Sequence, residues 1–260
     1  MDTLKHPIVE DRIIHGEGTS LQEWQQSTRL TTLAPLHVTT FFPQYSRICI
    51  VAPHPDDEIL GCAGLIQQLD AAGYEVVIMA VTNGTASHPE SSIYSPEQLN
   101  QLRPQETRKA LQTLGLQQNI QRIGFNIQDG AVAEQREQLM NALRQQLQPN
   151  DILIATFERD GHPDHEITGQ VVRQLAKEQS LPYLQVLIWA WHWANPDDDR
   201  IPWQKALKLY LSPWQAQRKA AAAQCFHTQL VPDSSTGQAP IISRTTLQRL
   251  LQPWEVYIHD

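Results

Sequence analysis

Five short apolar runs recur along the chain, and the first four are each followed by a segment that reads as a helix. The runs are "RICIVA" (47–52), "EVVIMAVT" (75–82), "QRIGF" (121–125), "DILIATF" (151–157) and "LQVLIWAW" (184–191). They are β-branched and apolar with little polar alternation, which is what strands buried on both faces require. The intervening segments predict helices at 57–72, closed by Gly73, from Ser95-Pro96 to about Leu114, at 133–147, stopped by Pro149, and at 164–179. Ser95 and Pro96 supply a cap and a first-turn proline. Pro104 is expected to kink or restart that helix. After residue 191 the pattern loosens, with one further helix predicted at 213–226. Strand alternating with helix implies a mostly parallel sheet covered on both faces, a Rossmann-like three-layer α/β sandwich. The expected organisation is an N-terminal extension, 1–45, packed on a single α/β domain, 46–260.

Ligands of such sheets bind beyond the carboxyl ends of the strands, so the residues that follow the runs matter most. His54, Asp56, Asp57 and Glu58 follow the first run; "ERDGHPDHE" (158–166), with His162, Asp164 and His165, follows the fourth. Three adjacent acids repel one another, and a divalent cation reverses that local balance. Either His-Pro-Asp turn alone also suits a helix cap. The two together, each at a strand end, point to a metal site located at the carboxyl ends of the strands. Glu58 opens a helix and interacts favourably with its dipole, while Cys62 lies inside that helix and suits packing.

The bulk properties narrow the partners. With 20 basic and 28 acidic residues the formal net charge is −8, which opposes a nucleic-acid or anionic-membrane surface. No apolar run approaches the ~20 residues of a membrane span, and the charged N-terminus does not read as a signal peptide. Cys49, Cys62 and Cys225 are sparse and odd in number, as suits reduced thiols in a cytoplasmic protein. A homo-oligomer is compatible with all of this.

"PHPDDEILGCAG" (53–64) and "HPDH" (162–165) resemble the two signature motifs of the PIG-L/LmbE family of zinc-dependent de-N-acetylases. Between them, "RPQETRKALQTLG" (103–115) resembles the family's Arg-x-x-Glu helix, "GFNIQDG" (124–130) its Asp-Gly turn and "VTNGT" (81–85) its second-strand loop. The likeness spans roughly residues 46–190 and departs at Ala63, where the family usually has Gly. It implies that His54, Asp57 and His165 hold the metal. Two imidazoles and a carboxylate, with positions left for water, suit catalytic zinc, and Fe2+ or another divalent ion also fits. The resemblance further implies Asp56 as general base, His162 as oxyanion donor held in its charged form by Asp164, and Arg103 and Asp129 in substrate binding. The implied activity is removal of an N-acetyl or other N-acyl group from a small amino-sugar-type substrate by zinc-activated water.

Rival readings stand beside this one. His54-x-Asp56 with a distant His also fits a two-His, one-carboxylate iron oxygenase, although the α/β alternation opposes it. A non-catalytic metal- or sugar-binding module is opposed by the completeness of both motifs. Arg103 could instead pair with Glu106 at the surface, and Asp129 could cap a turn. Trp189, Trp191, Trp193, Trp203 and Trp214 offer either a wall for a sugar ring or core packing, and His88 and His192 either line a pocket or pack.

Overall fold

The computed structural model of the chain describes residues 11–43 and 46–259; the parts of the 1–45 extension at 1–10 and 44–45 lie outside the described residues. Among the described residues eight strands form one sheet: β1 (Ala34–Pro35), β2 (Arg47–Ala52), β3 (Glu75–Ala80), β4 (Gln121–Gly124), β5 (Asp151–Thr156), β6 (Tyr183–Val186), β7 (Ala206–Tyr210) and β8 (Trp254–His259). Their order is β1-β7-β8-β6-β5-β2-β3-β4. The sheet is mostly parallel; β8 alone runs antiparallel to its two neighbours, β6 and β7.

β2 shows why the sheet needs helices on both sides. Ile48, Ile50 and Ala52 enter one core with Ile59, Leu65 and Leu69 of the helix Asp57–Ala71 and with Ala110 and Leu111. Cys49 and Val51 enter a second core with Leu139, Leu143, Val171 and Leu175, from the helices Arg136–Gln146 and Pro163–Gln179. Alternate side chains of one strand thus feed opposite faces. From β2 the chain proceeds outward through β3 to β4, then returns to place β5 on the other side of β2. Strand order therefore reverses between β2 and β5, and a crevice opens beyond their carboxyl ends.

Two expectations need correction. The helix Pro96–Thr113 runs through Pro104 without a break. Leu99, Arg103, Thr107, Ala110 and Leu111 of that helix are buried, a stripe spanning the proline. Burial along that stripe offsets the ~3 kcal/mol that an interior proline costs. The run 184–191 is not one strand: β6 ends at Val186 and Ala190–Trp193 is helical. The amides of Ile188, Trp189 and Ala190 donate to the Asp160 carboxylate at 2.9–3.0 Å instead of to a neighbouring strand. The tryptophans divide. Trp191 and Trp203 pack with Trp24 in a buried cluster, Trp193 donates to the Asp160 carbonyl, and Trp214 is exposed. His192 meets the Arg249 guanidinium at 2.7 Å. No helix among the described residues is long and apolar enough to cross a membrane.

Candidate metal and catalytic site

His54 to Asp57 leave the carboxyl end of β2 and lead into the helix Asp57–Ala71; His162 to His165 follow β5 and open the helix Pro163–Gln179. Because β2 and β5 are paired neighbours, these two turns meet. His54 Nδ1 lies 3.1 Å from His165 Nε2. Asp57 Oδ2 lies 3.5 Å from the first and 3.3 Å from the second. The opposite nitrogen of each ring faces carboxylate. His165 Nδ1 is 2.8 Å from Asp160 Oδ2, and His54 Nε2 is 3.0 Å from Asp129 and 3.3 Å from Asp164. With those nitrogens donating, His54 Nδ1 and His165 Nε2 are left as acceptors and form a triangle with Asp57 Oδ2.

That triangle fits a metal. Bonds of about 2.0–2.1 Å in a tetrahedral arrangement separate neighbouring ligand atoms by about 3.3 Å. Histidines that bind metals commonly donate their second nitrogen to a carboxylate, as both rings do here. Two wider groupings, His54 with His162 and His165, and His54 with Asp129 and Asp164, also bring ligand atoms within 4.8 Å of one another. The triangle is the tighter set. Asp56, Asp57, Asp129, Asp160 and Asp164 crowd two imidazoles, and a dication offsets that charge.

The same acids draw positive charge toward the rings. Burial disfavours charge on His54, yet Asp129, Asp164 and Asp57 together raise its pKa well above the usual histidine value. Burial likewise opposes protonation of His165, but Asp57 and Asp160 bring it up to about 9. Asp57 is held far below the usual carboxylate range, against its own burial, by His165 and His54. Asp56 behaves oppositely: burial, with Asp57 adding, pushes it up to about 8 despite the opposing Arg103 charge. Two adjacent aspartates thus sit at opposite extremes.

Asp56 is held in an unusual way. Its φ of 139° is a conformation that non-glycine residues rarely adopt, and such strain is retained where surroundings enforce it. The enforcement is visible: the Asp56 amide donates to Glu58 Oε2 at 3.2 Å, and Arg103 Nη2 donates to Asp56 Oδ2 at 3.2 Å. Arg103 is 2 % exposed and also donates to the carbonyls of Gly84 and Pro55 at 3.0 Å. A surface pair with Glu106 is ruled out, since Glu106 instead accepts from Thr228. Gly84 has φ 66°, and a Cβ there would collide with the Arg103 guanidinium. Arg103 and Asp129 both line the site, as does His162.

One expected pairing is not formed. Asp164 does not grip the His162 ring with its carboxylate. Its oxygens face His54 and accept from the amides of Gly130 at 2.8 Å and Val132 at 3.3 Å. His162 Nδ1 accepts from the Asp164 amide at 3.2 Å, as a helix cap does, so its ring proton sits on Nε2. Burial, together with the charges of His54 and His165, lowers the His162 pKa well below the ordinary value. Both effects favour the neutral His162 ring, not the charged one expected. Sequence reasoning also missed Asp160, which is fully buried and binds the back of His165. Its signal was faint: an acid in "ERDGHPDHE" whose amide partners lie at 188–190.

His54, Asp56, Asp57, Arg103, Asp129, His162 and His165 line a cavity of about 380 Å³. The sequence model of the PIG-L family, described as GlcNAc-PI de-N-acetylase, matches residues 49–176. A diacetylchitobiose deacetylase of Thermococcus kodakarensis is 26% identical over 131 residues, covering 49% of this chain and 48% of that protein. A probable N-acetyl-alpha-D-glucosaminyl L-malate deacetylase 2 of Bacillus cereus is 27% identical over 133 residues, covering 48% and 58%. The chain spans about half the length of the curated relatives it matches. Among solved structures, the zinc-inhibited form of teicoplanin deacetylase Orf2 is similar with a TM-score of 0.60 at 14% identity, over 82% of this chain and 97% of that one; that likeness is one of fold. The matched segment contains His54, Asp56, Asp57, Asp160, His162 and His165, and over residues 49–176 this chain is similar to the PIG-L family.

Proposed function

We propose that the chain is a divalent-metal-dependent amidohydrolase that removes an N-acetyl or other N-acyl group from an amino-sugar-type substrate, with zinc as the metal. The observation that carries this reading is the triangle of His54 Nδ1, Asp57 Oδ2 and His165 Nε2, with edges of 3.1–3.5 Å, beside a buried Asp56. The names of the relatives, a diacetylchitobiose deacetylase and a glucosaminyl-malate deacetylase, support the substrate class.

His54, Asp57 and His165 hold the ion. When bound, such an ion supplies Lewis acidity, which polarises an acyl oxygen and acidifies water. Asp160 orients His165, while Asp129 and Asp164 orient His54. Asp56, in the ionised form that its raised pKa of about 8 favours at mildly alkaline pH, takes a proton from the attacking water as the water oxygen adds to the acyl carbon. His162 Nε2–H donates to the developing oxyanion. Asp56 then passes the proton to the amide nitrogen as the C–N bond breaks, leaving a carboxylate and a free amine. Arg103 fixes Asp56 for both transfers. Residues 1–45 act in this proposal as an extension of the single domain 46–260.

The direct test is release of carboxylate from a panel of N-acyl amino sugars, with zinc and with a chelator. Release that depends on metal supports the reading, and a metal-loaded protein inert toward every amide sinks it. A second expectation concerns Arg103. Arg103→Ala, or Gly84→Ala acting through displacement of the guanidinium, lowers kcat/KM by about 10- to 100-fold through misplacement of Asp56, with metal content intact. An unchanged kcat/KM in both variants would remove Arg103 from the machinery.

A further inference from the structure

The cavity is lined by two unlike groups of residues. One is the His/Asp cluster. The other is formed by Leu60, Ile188, Trp189, Ile241, Ile242 and Leu250. Five of these belong to one continuous apolar cluster, and Ile241 is 40% exposed. The polar side chains nearby are engaged with protein. Thr246 Oγ1 lies 2.9 Å from Ser243 Oγ and accepts from Arg249 at 3.2 Å, and Gln229 Nε2 donates to Thr228 at 3.0 Å. A second sugar ring could lay only its C–H face against this wall, and so would bury less apolar surface there than a hydrocarbon group. An alkyl or aryl group would gain from the same surface. Of the six wall residues only Leu60 falls within the segment 49–176 that matches the family, so the wall is supplied by this chain's own later elements.

We propose that the substrate carries an apolar substituent that seats on this wall while its amide lies at the His/Asp cluster. The inference rests on the amidohydrolase reading and specifies the substrate within it. The apolar group is either the aglycone of an N-acetyl amino sugar or an extended acyl chain on the nitrogen. The two are separated by comparing kcat/KM for the methyl and hexyl glycosides of N-acetylglucosamine, and for N-acetyl- and N-hexanoylglucosamine.

The expected result is a preference of about 10- to 100-fold for the longer member of one pair. A gain with the hexyl glycoside assigns the aglycone, and a gain with the hexanoyl amide assigns the acyl chain. Ile241→Glu places a charge at the wall and brings the preference toward one. A readout independent of turnover is titration of tryptophan fluorescence by the hexyl glycoside in chelator-treated protein. A saturable change is expected, and it disappears in Trp189→Phe. Equal kcat/KM within both pairs, with acyl release intact, overturns the wall and leaves the amidohydrolase standing. A saturable change in a protein that hydrolyses no amide supports the wall and overturns the reaction. A change that survives in Trp189→Phe places the binding elsewhere and overturns the wall.

Discussion

Asp56→Asn is expected to lower kcat by about 10²–10⁴, the usual contribution of a positioned general base, while metal binding stays near wild type. Asn is the least disruptive replacement. It retains an oxygen for the Arg103 guanidinium, which otherwise lies 3.2 Å from Asp56 Oδ2, and Asn tolerates positive φ better than most residues. The amide cannot take a proton from water, so the loss falls on the chemical step and KM changes little. Steady-state kinetics with parallel metal analysis decide the matter. If Asp56→Asn loses the ion and Asp57→Asn keeps it, the two roles are exchanged. If both variants keep ion and activity, the acids serve only to open the helix.

The second large effect is graded loss of metal. His165→Ala removes one corner of the triangle and is expected to weaken zinc binding by at least ~100-fold. Asp160→Asn removes the carboxylate behind that ring and should cost about 10- to 100-fold, as partners of metal-binding histidines typically do. Asn keeps one oxygen for the amides of residues 188–190, so the turn is largely preserved. Competition with a chromophoric chelator, after circular dichroism has confirmed folding, gives both affinities. Wild-type affinity in His165→Ala removes His165 from the metal set. Wild-type affinity in Asp160→Asn reduces Asp160 to a loop cap.

How much of this could be read from the chain depended on whether the signal was local. β2, β3 and β5 are runs of β-branched residues whose burial is written in their composition. The helices beginning at Asp57 and Ser95 carry their own start signals, and Ser95 forms a reciprocal cap with Gln98. The turns bearing His54 and His165 were legible because each follows such a strand. β7 and β8 were not legible. Lys208 and Glu255 interrupt their apolar pattern, and Glu255 is acceptable there only because Lys219, at 2.8 Å, and the amides of Gly64 and Leu65 meet it. The continuity of the helix through Pro104 and the end of β6 at Val186 were hidden for the same reason. Each is decided by a face or a carboxylate distant in sequence. The orientation of Asp164 toward His54 rather than His162 turns on two amides at residues 130 and 132. Spacing along the chain carries no trace of them.

Asp160 joins two things that the chain keeps apart by 23–25 residues. One of its oxygens holds the back of His165 and the Trp189 amide, while the other takes the amides of Ile188 and Ala190. Ile188 and Trp189 line the cavity. A single carboxylate thus fixes both the His165 ring and the 188–190 turn that lines the cavity. Events on its two sides are thermodynamically linked. An occupant that orders the 188–190 turn lowers the cost of orienting His165, and occupation of the His165 side orders the turn by the same free energy. In the proposed reading, affinity for the ion and affinity for an apolar occupant would therefore rise together.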